Sequence, residues 1–102
     1  MIAEFMTRVE LLNGDDHEYL KLDEYMDANG FKKTILGKVE EYYLPQGEYH
    51  MVKNLTDDDV MSLAKSAANK TGKQFSIIVS EVSNIQSFGL RPRVPKFSIS
   101  GW

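Results

Sequence analysis

Apolar residues recur along this chain first with a period of two, then with helical spacing, in the order strand, helix, strand, strand, helix, strand. That order restricts the fold more than any single motif does. It predicts one α+β domain of the ferredoxin-like, split β-α-β kind (βαββαβ): a four-stranded antiparallel sheet in the order four, one, three, two, with two helices on one face. So widely reused an architecture limits function only weakly, because its chemistry sits in grafted sites.

Thr7, Val9 and Leu11 alternate with Arg8, Glu10 and Leu12, which predicts a first strand with one buried face. Asn13-Gly14-Asp15-Asp16 reads as a turn, and Asp15 or Asp16 can cap a helix running from about His17 to Ala28. On that helix Tyr19, Leu22 and Met26 form an apolar stripe widened by Leu20 and Tyr25, while Glu18, Lys21, Asp23 and Asp27 face water. Asn29-Gly30 stops it. Phe31 to Leu36 predicts a second strand and Gly37-Lys38 a turn. The third strand comes in two pieces, Val39 to Leu44 and Glu48 to Val52, because Pro45 and Gly47 interrupt it. Thr56 and Asp59 form a capping box, so the second helix starts near Asp57, buries Val60, Leu63, Ala64, Ala67 and Ala68, and ends at Gly72. Gln74 to Val82 is the fourth strand, with Phe75, Ile77 and Val79 inward and Ser76, Ile78 and Ser80 outward.

With 102 residues, 42% of them hydrophobic and 26% charged, the chain suits one domain with a modest core. Residues 1–5 precede a second methionine, and Glu4-Phe5 is what a common cloning site encodes, so we read them as vector-derived and place the domain at 6–90. Residues 91–102 form a basic and aromatic tail: Arg91, Arg93 and Lys96 lie among Pro92 and Pro95, followed by Phe97 and Trp102. Such a segment can add an edge strand, pack across the sheet or hang free. There is no cysteine, and no apolar run approaches the roughly 20 residues of a membrane span, which leads us to expect a cytoplasmic protein without disulfides or a membrane partner. Ile78 is a hydrophobe on the nominally open sheet face, so that face calls for a cover, either a homodimer partner or the chain's own tail.

Few residues carry chemistry. Glu48 and His50 share one face of the third strand, and an imidazole beside a carboxylate can move a proton either way near neutral pH; a plain cross-strand surface pair is the alternative. His17 reads as a solvated first-turn residue. Asp57, Asp58 and Asp59 diverge by about 100° each around a helix and are explained by capping, so no metal site and no cofactor is expected. Scattered lysines and arginines can gather locally despite a net charge of −3, but no aromatic RNA-recognition signature accompanies them.

Thr7-Arg8-Val9-Glu10-Leu11, Asn29-Gly30-Phe31 before Thr34-Ile35, Tyr43-Leu44-Pro45 with Glu48-Tyr49, and Ala64-Lys65-Ser66-Ala67-Ala68 before Thr71-Gly72-Lys73 together resemble the small bacterial and phage proteins grouped with the GhoS-type antitoxins. The resemblance runs from Thr7 to about Leu90. It implies a ferredoxin-like antitoxin, similar in fold to small CRISPR-associated nucleases, that cleaves the messenger RNA of a small membrane toxin. For that activity a metal-free attack by the ribose 2′-hydroxyl is the simplest chemistry: His50 and Glu48 would handle protons, Arg8 would hold phosphate, and Lys38, Arg91 and Arg93 would guide the RNA. The alternative is a non-catalytic module that binds and blocks a host protein through the open sheet face.

Overall fold

A computed structural model describes residues 1–94. The period-two run starts earlier than Thr7 and forms β1 (Ala3–Leu11), followed by α1 (Asp16–Ala28), β2 (Thr34–Leu36), β3 (Glu41–Tyr43), β4 (Glu48–Lys53), α2 (Asp57–Asn69) and β5 (Phe75–Val82). Ala3, Glu4 and Phe5, read as vector-derived, are part of β1, and the Phe5 side chain is fully buried.

β1 is the middle of a three-stranded antiparallel sheet, β4-β1-β5. Arg8 stands opposite Glu48 on one side and Ile78 on the other. β2 and β3 form a separate two-stranded sheet instead of extending the first one. The two pieces expected to make up the third strand therefore belong to different sheets. Pro45 offers no N–H, and Gly47 takes φ +80° and donates no side chain; its carbonyl accepts from the Val9 N–H at 2.8 Å, and a Cβ there would run into the Val9 carbonyl oxygen. Between these residues the chain turns out of one sheet and into the other. Among the described residues only Lys32 pairs with β4 on its free side, exchanging two 2.8 Å backbone hydrogen bonds with His50.

Both helices start as their local sequence dictates. Asp15 and Glu18 form a capping box on α1, and Thr56 and Asp59 form one on α2. Hydrogen bonds from Thr56 hold the Asp59 carboxyl below its ordinary range. Gly30 and Gly72, at φ +92° and +75°, follow the helix ends. Leu22 and Met26 from α1, Val60, Ala64, Ala67 and Ala68 from α2, and Phe5, Val9, Leu11, Tyr49 and Met51 from the sheet form one buried cluster, so both helices cover the same sheet face. Burial of Leu22 or Met26 stabilises by about 1.5–3 kcal/mol each.

Several inward residues are less buried than the periodicity predicts. Leu63, Phe75, Ile77 and Val79 are only half-buried against the cluster, because β5 is an edge strand and the sheet stops there. Leu20 is 60% exposed and does not widen the α1 stripe. Asp23, assigned to solvent, is half-buried.

After β5 the chain returns over the open face of the sheet. Ile85 and Leu90 line one cavity with Met6, Glu48, Ile35 and Leu44, while Phe88 on its rim is fully exposed, and Pro92 then bridges to Tyr42. Tyr43 donates to the Arg91 carbonyl at 2.8 Å and Arg93 to the Glu41 carbonyl at 2.9 Å, so the start of the tail pairs along β3. Lys96, Phe97 and Trp102 lie outside the described residues.

Candidate functional site

Strand alternation puts Glu4, Met6, Arg8 and Glu10 of β1 on the sheet face away from the helices. Register then sets Glu48, Arg8 and Ile78 in one row and His50, Met6 and Ser80 in the next, with Val52, Glu4 and Val82 beyond them. Arg8, Glu48 and His50 are thus brought onto one surface. Their pairing differs from the expected one: His50 Nε2 lies 2.6 Å from Glu4 Oε2, diagonally across the β1–β4 pair, while Glu48 approaches the Arg8 guanidinium at 3.8 Å. Since a carboxylate only accepts, Nε2 carries the proton of a neutral His50, which leaves Nδ1 with the free lone pair. The His50 side chain is 15% exposed and that of Arg8 61%, so the imidazole is held and the guanidinium is open to solvent.

The remaining expected RNA contacts are spread out. Lys38 is exposed in the turn between β2 and β3. Arg93 is paired with Glu41 at 3.1 Å. Arg91 stacks over the Tyr43 ring, 5.6 Å from its centre, and lines a different cavity of about 500 Å³ with Asp16, Asp23, Lys33 and Gln46.

Sequence reasoning missed the contacts that Asp23 and Lys33 of that cavity make with Tyr49. Tyr49 faces the core from β4 and donates to Asp23 Oδ1 at 2.5 Å, and the Lys33 ammonium sits 5.0 Å from the centre of the Tyr49 ring. Lys33 also donates to the carbonyls of Pro45 and Glu48. Burial, and then the Asp23 acceptor, push the Tyr49 phenol well above its ordinary value. Burial lowers the Lys33 ammonium, with Asp23 and Glu48 opposing. A core-facing tyrosine needs a hydrogen-bond partner, which was the available signal, but the partner's position depends on how α1 lies across the sheet. Glu4 had a signal too, since it shares the parity of Arg8.

Among the described residues no three His, Asp or Glu side chains are grouped so as to hold a metal ion, and no helix is long and apolar enough to cross a membrane. Comparison of the chain with protein-family models, with curated proteins and with solved structures finds no match in any of the three.

Proposed function

We propose that the protein is a cytoplasmic endoribonuclease of the antitoxin kind, built on a ferredoxin-like core, that opens RNA with the ribose 2′-hydroxyl as nucleophile. The 2.6 Å contact of His50 with Glu4 on the solvent-facing side of the sheet, with Arg8 on the same face one row from His50, carries the proposal. Glu4 takes the proton-handling place that the sequence pattern gave to Glu48. With Nε2–H committed to the Glu4 carboxylate, Nδ1 of a neutral His50 accepts the 2′-hydroxyl proton. As the attacking oxygen bonds to phosphorus the bond to the 5′-oxygen breaks, that oxygen takes a proton from solvent water, the His50 imidazolium later returns its proton to solvent, and the products are a cyclic phosphate and a 5′-hydroxyl. Arg8 stabilises the charge on phosphorus-bound oxygen. Its 3.8 Å pairing with Glu48 is loose and half-solvated, so a phosphate can compete for it. Lys38 and Arg91 have no ion-pair partner among the described residues and are free to track an RNA backbone. The β5-β1-β4 order and the Lys32–His50 bridge support the ferredoxin-like part. The toxin messenger as substrate follows from the family resemblance.

The test is incubation with a mixed RNA pool, with and without chelator, and mapping of cut ends. Cleavage that survives the chelator and leaves cyclic phosphates is expected, with a rate about a hundredfold lower in His50→Ala. Full-rate cleavage by His50→Ala would eliminate the mechanism.

A second reading, a non-catalytic module that blocks a host protein, is favoured by one observation: Ile78 and Val52 remain 65% and 52% exposed on the same sheet face. In that case the parent leaves RNA intact and Ile78→Lys weakens partner capture.

A further inference from the structure

β5 is the unprotected edge of the sheet. The opposite edge, β4, is partly closed by Lys32, but no described residue pairs with the outer side of β5. Phe75–Val82 holds no proline, no lysine and no bulge, the usual devices that keep an edge from pairing. Its helix-side residues are also incompletely covered: Phe75, Ile77 and Val79 are half-buried, whereas Phe5, Val9 and Leu11 on the neighbouring strand are 0%, 1% and 3% exposed. Core and hydrogen-bond ladder both stop short at the same strand.

We infer that β5 pairs with β5 of a second copy of this chain, antiparallel about Ile77, joining two three-stranded sheets into one. The backbone chooses which residues take part. Leu12 N–H donates to the Gln74 carbonyl at 2.8 Å, so even-numbered residues of this segment turn their peptide groups toward β1 and odd-numbered ones turn theirs outward. Phe75, Ile77, Val79 and Glu81 therefore offer the free N–H and C=O groups. Pairing about Ile77 matches each with an odd-numbered partner: Ile77 with Ile77 and Phe75 with Val79. The same register sets Lys73 opposite Glu81 at both ends of the paired segment. Shifting the centre to a neighbouring residue keeps the peptide groups matched and loses this charge pairing, so charge selects the register. Lys73 lies 3.2 Å from Glu18 in its own chain, and a partner's carboxylate would join that pair. The half-exposed Phe75, Ile77 and Val79 side chains of the two copies would meet beneath the helices and continue one core into the next.

Charge reversal tests register and occupant together. Dimerisation of the parent is measured by analytical ultracentrifugation over a concentration series, with thermal melts as the control for folding. Glu81 is exposed and has no partner within its own chain among the described residues, so Glu81→Lys leaves the fold intact. Glu81→Lys alone and Lys73→Glu alone are each expected to weaken the dimer by about tenfold or more, and the double variant to restore it. Amides of Phe75, Ile77 and Val79 should exchange slowly in concentrated protein and quickly in dilute protein. A parent that stays monomeric overturns the inference. So does a dimer indifferent to both single reversals, or a monomer whose β5 amides are protected at every dilution.

Discussion

Thr7 lies fully buried on the core face of β1, and its hydroxyl has no hydrogen-bond partner among the described residues. An unsatisfied buried hydroxyl costs about 1–3 kcal/mol, while the pleated strand around it suits a β-branched side chain. Thr7→Val is therefore expected to stabilise by about 1 kcal/mol, read as a higher urea midpoint at unchanged slope. A lower midpoint would mean that the hydroxyl is satisfied. Tyr49, on the neighbouring strand, shows the opposite case, since its phenol has Asp23 at 2.5 Å. Its folded pKa is raised, so the unfolded chain gives up that proton first as pH climbs past about 10. The stability Tyr49 contributes is complete below that pH and is lost above it. Lys33 has a lowered folded pKa, so the cost of burying its charge is relieved as pH rises toward its unfolded value, with the reverse slope. Melts from about pH 8 to 11 should fall steeply at the alkaline end in the parent and less steeply in Tyr49→Phe. Equal slopes would remove Tyr49 as the cause.

Whole elements were legible where the signal is local. The Asp15 cap of α1, the capping box of α2, the glycines after the helices and the alternation of β1, β4 and β5 each involve residues a few positions apart, and each forms as its sequence predicts; the Glu18 half of the α1 capping box was not foreseen. Partnership between elements was not legible. Nothing within Glu41–Lys53 says that its two halves pair with different strands, because that depends on where Gly47 docks against Val9. The candidate site divides in the same way. Arg8, Glu48 and His50 could be placed on one face from parity, but the contact of His50 with Glu4 spans 46 positions and needed the register of β1 against β4. That contact also belongs to the part of β1 preceding Met6, whose weight is measurable through Phe5. As a fully buried aromatic, Phe5→Ala is expected to cost about 3–5 kcal/mol. A denaturant midpoint unchanged by that substitution would show that β1 is not anchored before Met6.

At the scale of the molecule, the three-stranded and two-stranded sheets are joined by the return segment as well as by the chain between β3 and β4. Arg93 holds the end of that segment to Glu41 through one ion pair and one backbone hydrogen bond. Arg93→Glu places like charges there, and faster hydrogen exchange at Tyr43 and Arg93 is expected while β1 amides stay protected. Exchange that remains slow would mean that the Arg93–Glu41 ion pair does not hold the segment. The position of β1 has a consequence in time. The middle strand stands at the front of the sequence, yet Glu4 waits for Val52 on one side and Val82 on the other. On a ribosome it emerges long before either neighbour, and the sheet cannot close until β5 is out of the exit tunnel. Such distant pairings slow folding into the range of milliseconds to seconds. For that interval an apolar strand carrying Phe5, Val9 and Leu11 has no sheet to enter, and a nascent chain of this kind is one that a chaperone would find unfinished.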